Sequence, residues 1–195
     1  MATHLIDLRQ ARNAASDNLA DLQAYLTQLV GEPFRFARVS YGDELTLHFG
    51  DHRPARSPKL RNKPYGSYIL GVRGSPWLLK SGSEPLVLTA DLDGENLPNG
   101  LGKPIRKEEL EANPLISAES RVLTAMPFVV KPINGFGLQL RLSDGSSLLI
   151  LPTLAEAEIE KSTPEIALAD WDLTSPQGLL SAGPGPNWSF KPSTA

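Results

Sequence analysis

The chain has 195 residues, no cysteine and three histidines, and its 19 Lys+Arg against 22 Asp+Glu give a formal net charge of -3. Those figures exclude a collagen, a disulfide-stapled mini-protein and a thiol enzyme. No uninterrupted apolar run reaches the roughly 18 residues of a membrane-spanning helix, and a slightly acidic balance argues against a general nucleic-acid binder.

The first residues, from Met1 to Asp7, carry neither a basic stretch nor an apolar one of signal-peptide type. With the absence of cysteine this leads to an expected cytoplasmic location and no membrane association.

Residues 5–30 show the clearest periodicity. Leu5, Leu8, Arg12, Ala15, Leu19, Leu22, Leu26 and Leu29 follow one another at alternating steps of three and four, which places them on one helical stripe. Thr3 is a candidate N-cap, and Gly31 with Pro33 is a stop. The weaker middle, Arg12 to Asp17, allows a break with Ser16 or Asp17 capping a second helix. The flanking positions Arg9, Ala11, Ser16, Asn18, Gln23 and Tyr25 lack the alternating charges of a coiled coil, so docking onto the protein's own sheet is expected.

Beyond residue 32 the pattern is of short strands separated by turn residues. Two stretches look alike: each opens with Pro-Phe (Pro33-Phe34 and Pro127-Phe128), turns at glycine, and then alternates apolar and polar residues. Leu45, Leu47 and Phe49 share one strand face, as do Leu138, Leu140 and Leu142. A third strand follows in each, from Gly66 and from Gly145, and then a tryptophan, Trp77 or Trp171. The expected fold is α+β: an N-terminal amphipathic helix packed on antiparallel sheets from two related β-meanders, each closed by a buried Trp, as a sandwich or half-open barrel. The expected organisation is a helix over 1–32, a first meander over 33–90, a linker over 91–120, and a second meander with its tail over 121–195, together one compact domain.

The copies differ in their insertions, and loops on a regular scaffold are where binding function concentrates. The first insertion, 52–63, holds Arg53, Arg56, Lys59, Arg61 and Lys63 and no acid. The second copy has an Asp-Gly turn at that junction and inserts Pro152 to Ala169 instead, with Glu156, Glu158 and Glu160. Oppositely charged segments suit complementary pairing, within the chain or as a homodimer, with orientation and on-rate set by charge. A protein partner and, less readily, a nucleic acid stacked on Tyr65 and Tyr68 also fit the basic loop.

In the middle, Leu86 to Leu88 reads as a strand and Arg106 to Ala112 as a turn or two of helix. Asp91 to Asn96 resembles part of a calcium loop but lacks the closing Glu. Near the end, Trp188 and Phe190 lie beyond Gly183-Pro184-Gly185-Pro186 and are apolar enough to fold back on the body or to anchor a partner.

Catalytic parts are sparse. Of His4, His48 and His52, the last two could join Asp51 around a metal, but the neighbouring arginines oppose a cation. No nucleophile elbow, P-loop or dinucleotide fingerprint occurs, and neither a metal nor another cofactor is expected. Asp170 and Asp172 share one strand face, flank Trp171 and form a carboxylate pair of the kind used for acid–base work.

Three local patterns resemble known groups. Gly42 through Gly50, with Gly66 through Gly71, looks like a set of small cyanobacterial hypothetical proteins. Leu142 through Leu148, with Trp171 through Gly178 and Gly183 through Gly185, is similar to small β-rich domains thought to act as toxin-immunity proteins. That likeness implies a bacterial binding protein and carries over no functional residue. The expected function is therefore a non-enzymatic protein-binding module of immunity or accessory type. Its expected site residues are the five basic residues of 52–63, Glu156, Glu158, Glu160 and Trp188. A small carboxylate-dependent hydrolase and an accessory nucleic-acid binder through the basic loop are the alternatives.

Overall fold

The computed structural model describes residues 19–39, 44–54, 65–73, 75–80, 116–131, 135–152 and 169–193. The expectations for Thr3, for 5–18, for the strand at 86–88, for Asp91 to Asn96 and for 106–112 lie outside the described residues.

The helix, α1 (Leu19–Thr27), keeps the predicted stripe: Leu22, Leu26 and Leu29 are fully buried. Burying one such leucine stabilises a fold by about 1.5–3 kcal/mol, so this face alone holds the helix down. The chain leaves it at Gly31, whose φ of 89° suits a residue without Cβ.

Ten strands follow among the described residues: β1 (Phe34–Val39), β2 (Leu45–His52), β3 (Gly66–Val72), β4 (Trp77–Lys80), β5 (Val122–Val130), β6 (Gly135–Leu142), β7 (Ser147–Ile150), β8 (Trp171–Ser175), β9 (Gly178–Ala182) and β10 (Trp188–Pro192). They form two antiparallel sheets, ordered β1-β2-β3-β8-β9-β10 and β4-β7-β6-β5, which do not close into a barrel. The architecture is α+β and sandwich-like. One core lies between the layers, and the predicted inward stripes Leu45, Leu47, Phe49 and Leu138, Leu140, Leu142 are all in it.

The topology differs from the expectation in one respect. Each tryptophan strand leaves its own meander and completes the other one: β4 pairs with β7, setting Trp77 opposite Ile150, and β8 pairs with β3, setting Trp171 opposite Val72. On the first crossing, Pro76 has no N–H to offer a ladder and favours an extended link over a tight hairpin. The link is tied down where Arg73 N–H donates to the Asp170 carbonyl (3.3 Å) and Ser75 Oγ donates to Asp170 Oδ1 (3.0 Å). Trp171 joins the layers directly, its Nε1–H donating to the Phe136 carbonyl of β6 at 2.9 Å.

Helix and tail finish the assembly. Gln23 Nε2 donates to the Ala125 carbonyl of β5 (2.8 Å), while the Tyr25 ring stacks on Phe190 and meets Trp188 edge-on. α1 thus touches an edge strand of each sheet. At the other end of β5, Phe34 N–H donates to the Ser120 carbonyl and Val122 N–H to that of Glu32, drawing β1 against the small sheet.

Candidate functional site

Side chains alternate across a strand, so Leu47 and Phe49 in the core put His48 on the outer face of the large sheet. The register there lines up Phe36, His48, Ile69 and Thr174 across β1, β2, β3 and β8. An outward imidazole is ordinarily wet, yet His48 is only 5% exposed. Phe36 and Tyr65 crowd it, with ring centroids at 5.8 and 4.9 Å, and they meet each other edge-on at 6.3 Å.

Beside this cluster lies a cavity of about 310 Å³, walled by His48, Tyr65, Ser67, Ile69 and Thr174, with Arg53 also lining it. A bulge at the end of the β2–β3 hairpin aims these residues: the register slips between Phe49 and His52, and Gly50 sits at a φ of 83°. Three bonds fix the bulge. Gly50 N–H donates to the Pro33 carbonyl (2.8 Å), Arg35 Nε–H to the Gly50 carbonyl (2.7 Å), and Asp51 N–H to Ser67 Oγ (3.2 Å). One residue further out, Arg53 N–H donates to the Tyr65 carbonyl at 2.8 Å. That bond pinches the stem of the basic insertion, so both ends of the insertion line the cavity.

Burial pulls the His48 pKa down from 6.5 to about 4, so the imidazole is neutral at pH 7. Its Nδ1 is buried and has no hydrogen-bond partner in the protein. A buried polar atom in that state costs about 1–3 kcal/mol. The Ser175 hydroxyl on the cavity wall is already engaged, donating to the Gly178 carbonyl and accepting from Gln177 and Gly178. The arrangement offers an aromatic wall, a neutral imidazole and a guanidinium, which is equipment for holding a ligand.

The other predicted residues are dispersed. Arg53 is exposed in the cavity lining, whereas Arg56, Lys59, Arg61, Lys63, Glu156, Glu158 and Glu160 lie outside the described residues. Trp188 is half-buried on β10, folded against Tyr25. Asp170 is buried and anchors the β3–β4 link, while Asp172 sits over Gly71 with Arg73 Nε at 3.8 Å. Burial raises the Asp172 pKa, with Arg73 opposing and Glu44 reinforcing the shift. Neither carboxylate lines the cavity. Asp51 and His52 are exposed while His48 is buried, and among the described residues no three His, Asp or Glu side chains cluster as metal ligands. No described helix is long and apolar enough to cross a membrane.

Sequence reasoning put His48 on the polar face of its strand but missed its burial and the cavity. The available clue was the aromatic pair Phe36, within β1, and Tyr65, just before β3, which gains meaning only once both strands are seen to flank β2. No protein-family model, curated protein or solved structure matches this chain.

Proposed function

We propose that the protein is a non-catalytic binding module that holds an acidic segment of a partner protein at the cavity beside the 53–65 insertion, in a role of immunity or accessory type. One observation carries this: Arg53 and Tyr65, the two ends of the basic insertion, are bonded to each other and both line the cavity. Five cations therefore lie on the excursion that leaves the cavity at Arg53 and returns to it at Tyr65. Charge of one sign around a concave site raises the encounter rate with segments of opposite sign, an effect screened beyond about 8–10 Å at physiological salt.

The test replaces Arg53, Arg56, Lys59, Arg61 and Lys63 together with serine and measures binding of a fluorescent Asp/Glu-rich peptide by anisotropy, with circular dichroism to check the fold. The native chain should bind in a salt-sensitive way, and the quintuple variant should lose at least about tenfold in affinity, about 1.4 kcal/mol. Unchanged affinity would remove the loop from the interaction. Self-association at low salt, abolished by the same substitutions, would give the acidic segment to a second copy of the chain through Glu156, Glu158 and Glu160.

A further inference from the structure

We propose that β10 is a dimerisation edge, pairing antiparallel with β10 of a second copy of the chain about a two-fold axis at Phe190. The two six-stranded sheets then run on as one continuous sheet. Three observations converge on this contact. The first is the open edge. Gly183 N–H donates to the Asn187 carbonyl and Ser193 N–H to that of Gln177, so between them Ser189 and Lys191 bond to β9. The main-chain groups of Trp188, Phe190 and Pro192 therefore point away from β9, and among the described residues nothing pairs with them.

The second is the state of the other edges. On β5, Val122 exchanges bonds with Gly31 and Glu32, the Ala125 carbonyl accepts from Gln23, and Pro127 has no N–H to offer. β1 is tied to the approach to β5 where Phe34 N–H meets the Ser120 carbonyl, and β4 is only four residues long. β10 is the edge with no such engagement.

The third is that β10 complements itself. With Phe190 on the axis, Phe190 exchanges both of its main-chain bonds with Phe190 of the second copy, and each Trp188 N–H meets a Pro192 carbonyl. Centring on Trp188 instead would carry Phe190 past the end of the facing strand, and centring on Pro192 would oppose two residues that lack an N–H. On the core side, where Trp188 and Phe190 are half-buried against Tyr25, the chosen register sets Phe190 against Phe190 and Trp188 against Pro192. Cross-strand aromatic pairs of this kind are favourable. On the outer side Lys191 faces Ser189, so no like charges meet. The contact is small, which makes the dimer weak and concentration-dependent.

The experiment uses the full chain in sedimentation equilibrium from about 5 to about 500 μM, at low and high salt. The native chain should dimerise in both, since main-chain and apolar contacts are little screened. Phe190→Pro removes an N–H that β9 does not use, so circular dichroism should report a folded chain while dimerisation weakens at least about tenfold. Phe190→Ala loses the same ring but keeps the N–H, and should dimerise better than Phe190→Pro. In the native chain, amide exchange at Trp188 and Phe190 should slow with rising concentration; this readout decides the matter should Phe190→Pro fail to fold. A monomer at every concentration would overturn the proposal. So would a dimer undiminished in folded Phe190→Pro, or exchange at Phe190 that ignores concentration. Association lost at high salt, and lost in the variant with the five basic residues of 53–63 replaced, would assign self-association to the charged insertion and overturn the β10 edge, whereas a salt-resistant β10 dimer that binds no acidic peptide would sink only the function proposed above.

Discussion

The two meanders meet the same problem, connecting a second strand to a third, and solve it differently. Between β6 and β7 the chain turns within Ser143 to Ser146. Gly145 takes a φ of 86°, and the Asp144 carboxylate accepts backbone N–H groups of Ser117 (2.7 Å) and Ser146 (2.9 Å). Ser143 Oγ accepts from Arg121 N–H, so the turn also ties down the approach to β5. Between β2 and β3 a bulge opens the hairpin instead, and a long basic excursion leaves from Arg53 and returns at Tyr65. The closed turn commits Asp144 and Ser143 to backbone N–H groups of the turn and of the approach to β5, and leaves the buried Ser146 Oγ without a partner. The open one leaves an imidazole nitrogen unpaired and a guanidinium beside a cavity. The difference between the two connections is therefore the open groove and the charged excursion, not the presence of an unpaired polar atom.

The exchange of tryptophan strands underlies both connections, and breaking it should have the largest effect. Trp171→Ala removes a fully buried indole and leaves the Phe136 carbonyl without its donor, so a loss of about 3–5 kcal/mol is expected in urea unfolding. Trp77→Ala, equally central to the small sheet, should cost a similar amount. A loss below about 1 kcal/mol at either position would show that the exchanged strand there is not held by its tryptophan.

The next effect sharpens the open side of the comparison. The folded-state pKa of His48 is about 4, below the unfolded value of 6.5. Between those values the unfolded chain binds more protons, so stability is complete above about pH 6.5 and falls as the pH drops toward 4. The expected loss is roughly 1–3 kcal/mol, and His48→Phe should abolish that part of the pH dependence. Identical pH profiles for the two chains would mean that the imidazole is hydrated in the folded state.

Much of the frame was legible in the sequence because burial imposes a period. The spacing of Leu19, Leu22, Leu26 and Leu29 marks the helix face, and the alternation at Leu45, Leu47, Phe49 and at Leu138, Leu140, Leu142 marks the core side of β2 and β6. Strand partners leave no such trace. Trp77 follows β3 along the chain but pairs with β7, and the sequence pattern is the same either way, since a buried strand reads alike in both sheets. The cavity was hidden for a related reason. His48 sits at a position that alternation makes polar, and it is buried by Phe36 and Tyr65, which only pairing and the bulge bring beside it. The charged insertion was visible at once, but its attachment to a cavity depends on a backbone bond from Arg53 to Tyr65.

The smallest effect sets one aspartate of the closed turn against one on the open sheet. Burial tends to raise the Asp144 pKa, but hydrogen bonds from Ser117 and Ser146, with a further contribution from Ser120, outweigh it and hold the carboxyl below its usual range. Asp144 therefore stabilises the fold above the ordinary aspartate pKa and loses that contribution as the pH falls through its depressed value. Asp172 runs the other way: burial leads and Glu44 adds to it, Arg73 fails to compensate, and the pKa rises. Its contribution is greatest at low pH and is lost as the pH climbs through the raised value. At pH 7, Asp144→Asn should cost at most about 1 kcal/mol, because the turn is solvent-screened, and Asp172→Asn should be neutral or stabilising by less than about 1 kcal/mol. Paired urea titrations at pH 7 and below pH 4 decide between these signs. If both substitutions destabilise at pH 7, the 3.8 Å contact between Arg73 and Asp172 is stronger than its half-exposed guanidinium implies, and the outer face of the large sheet carries a structural ion pair.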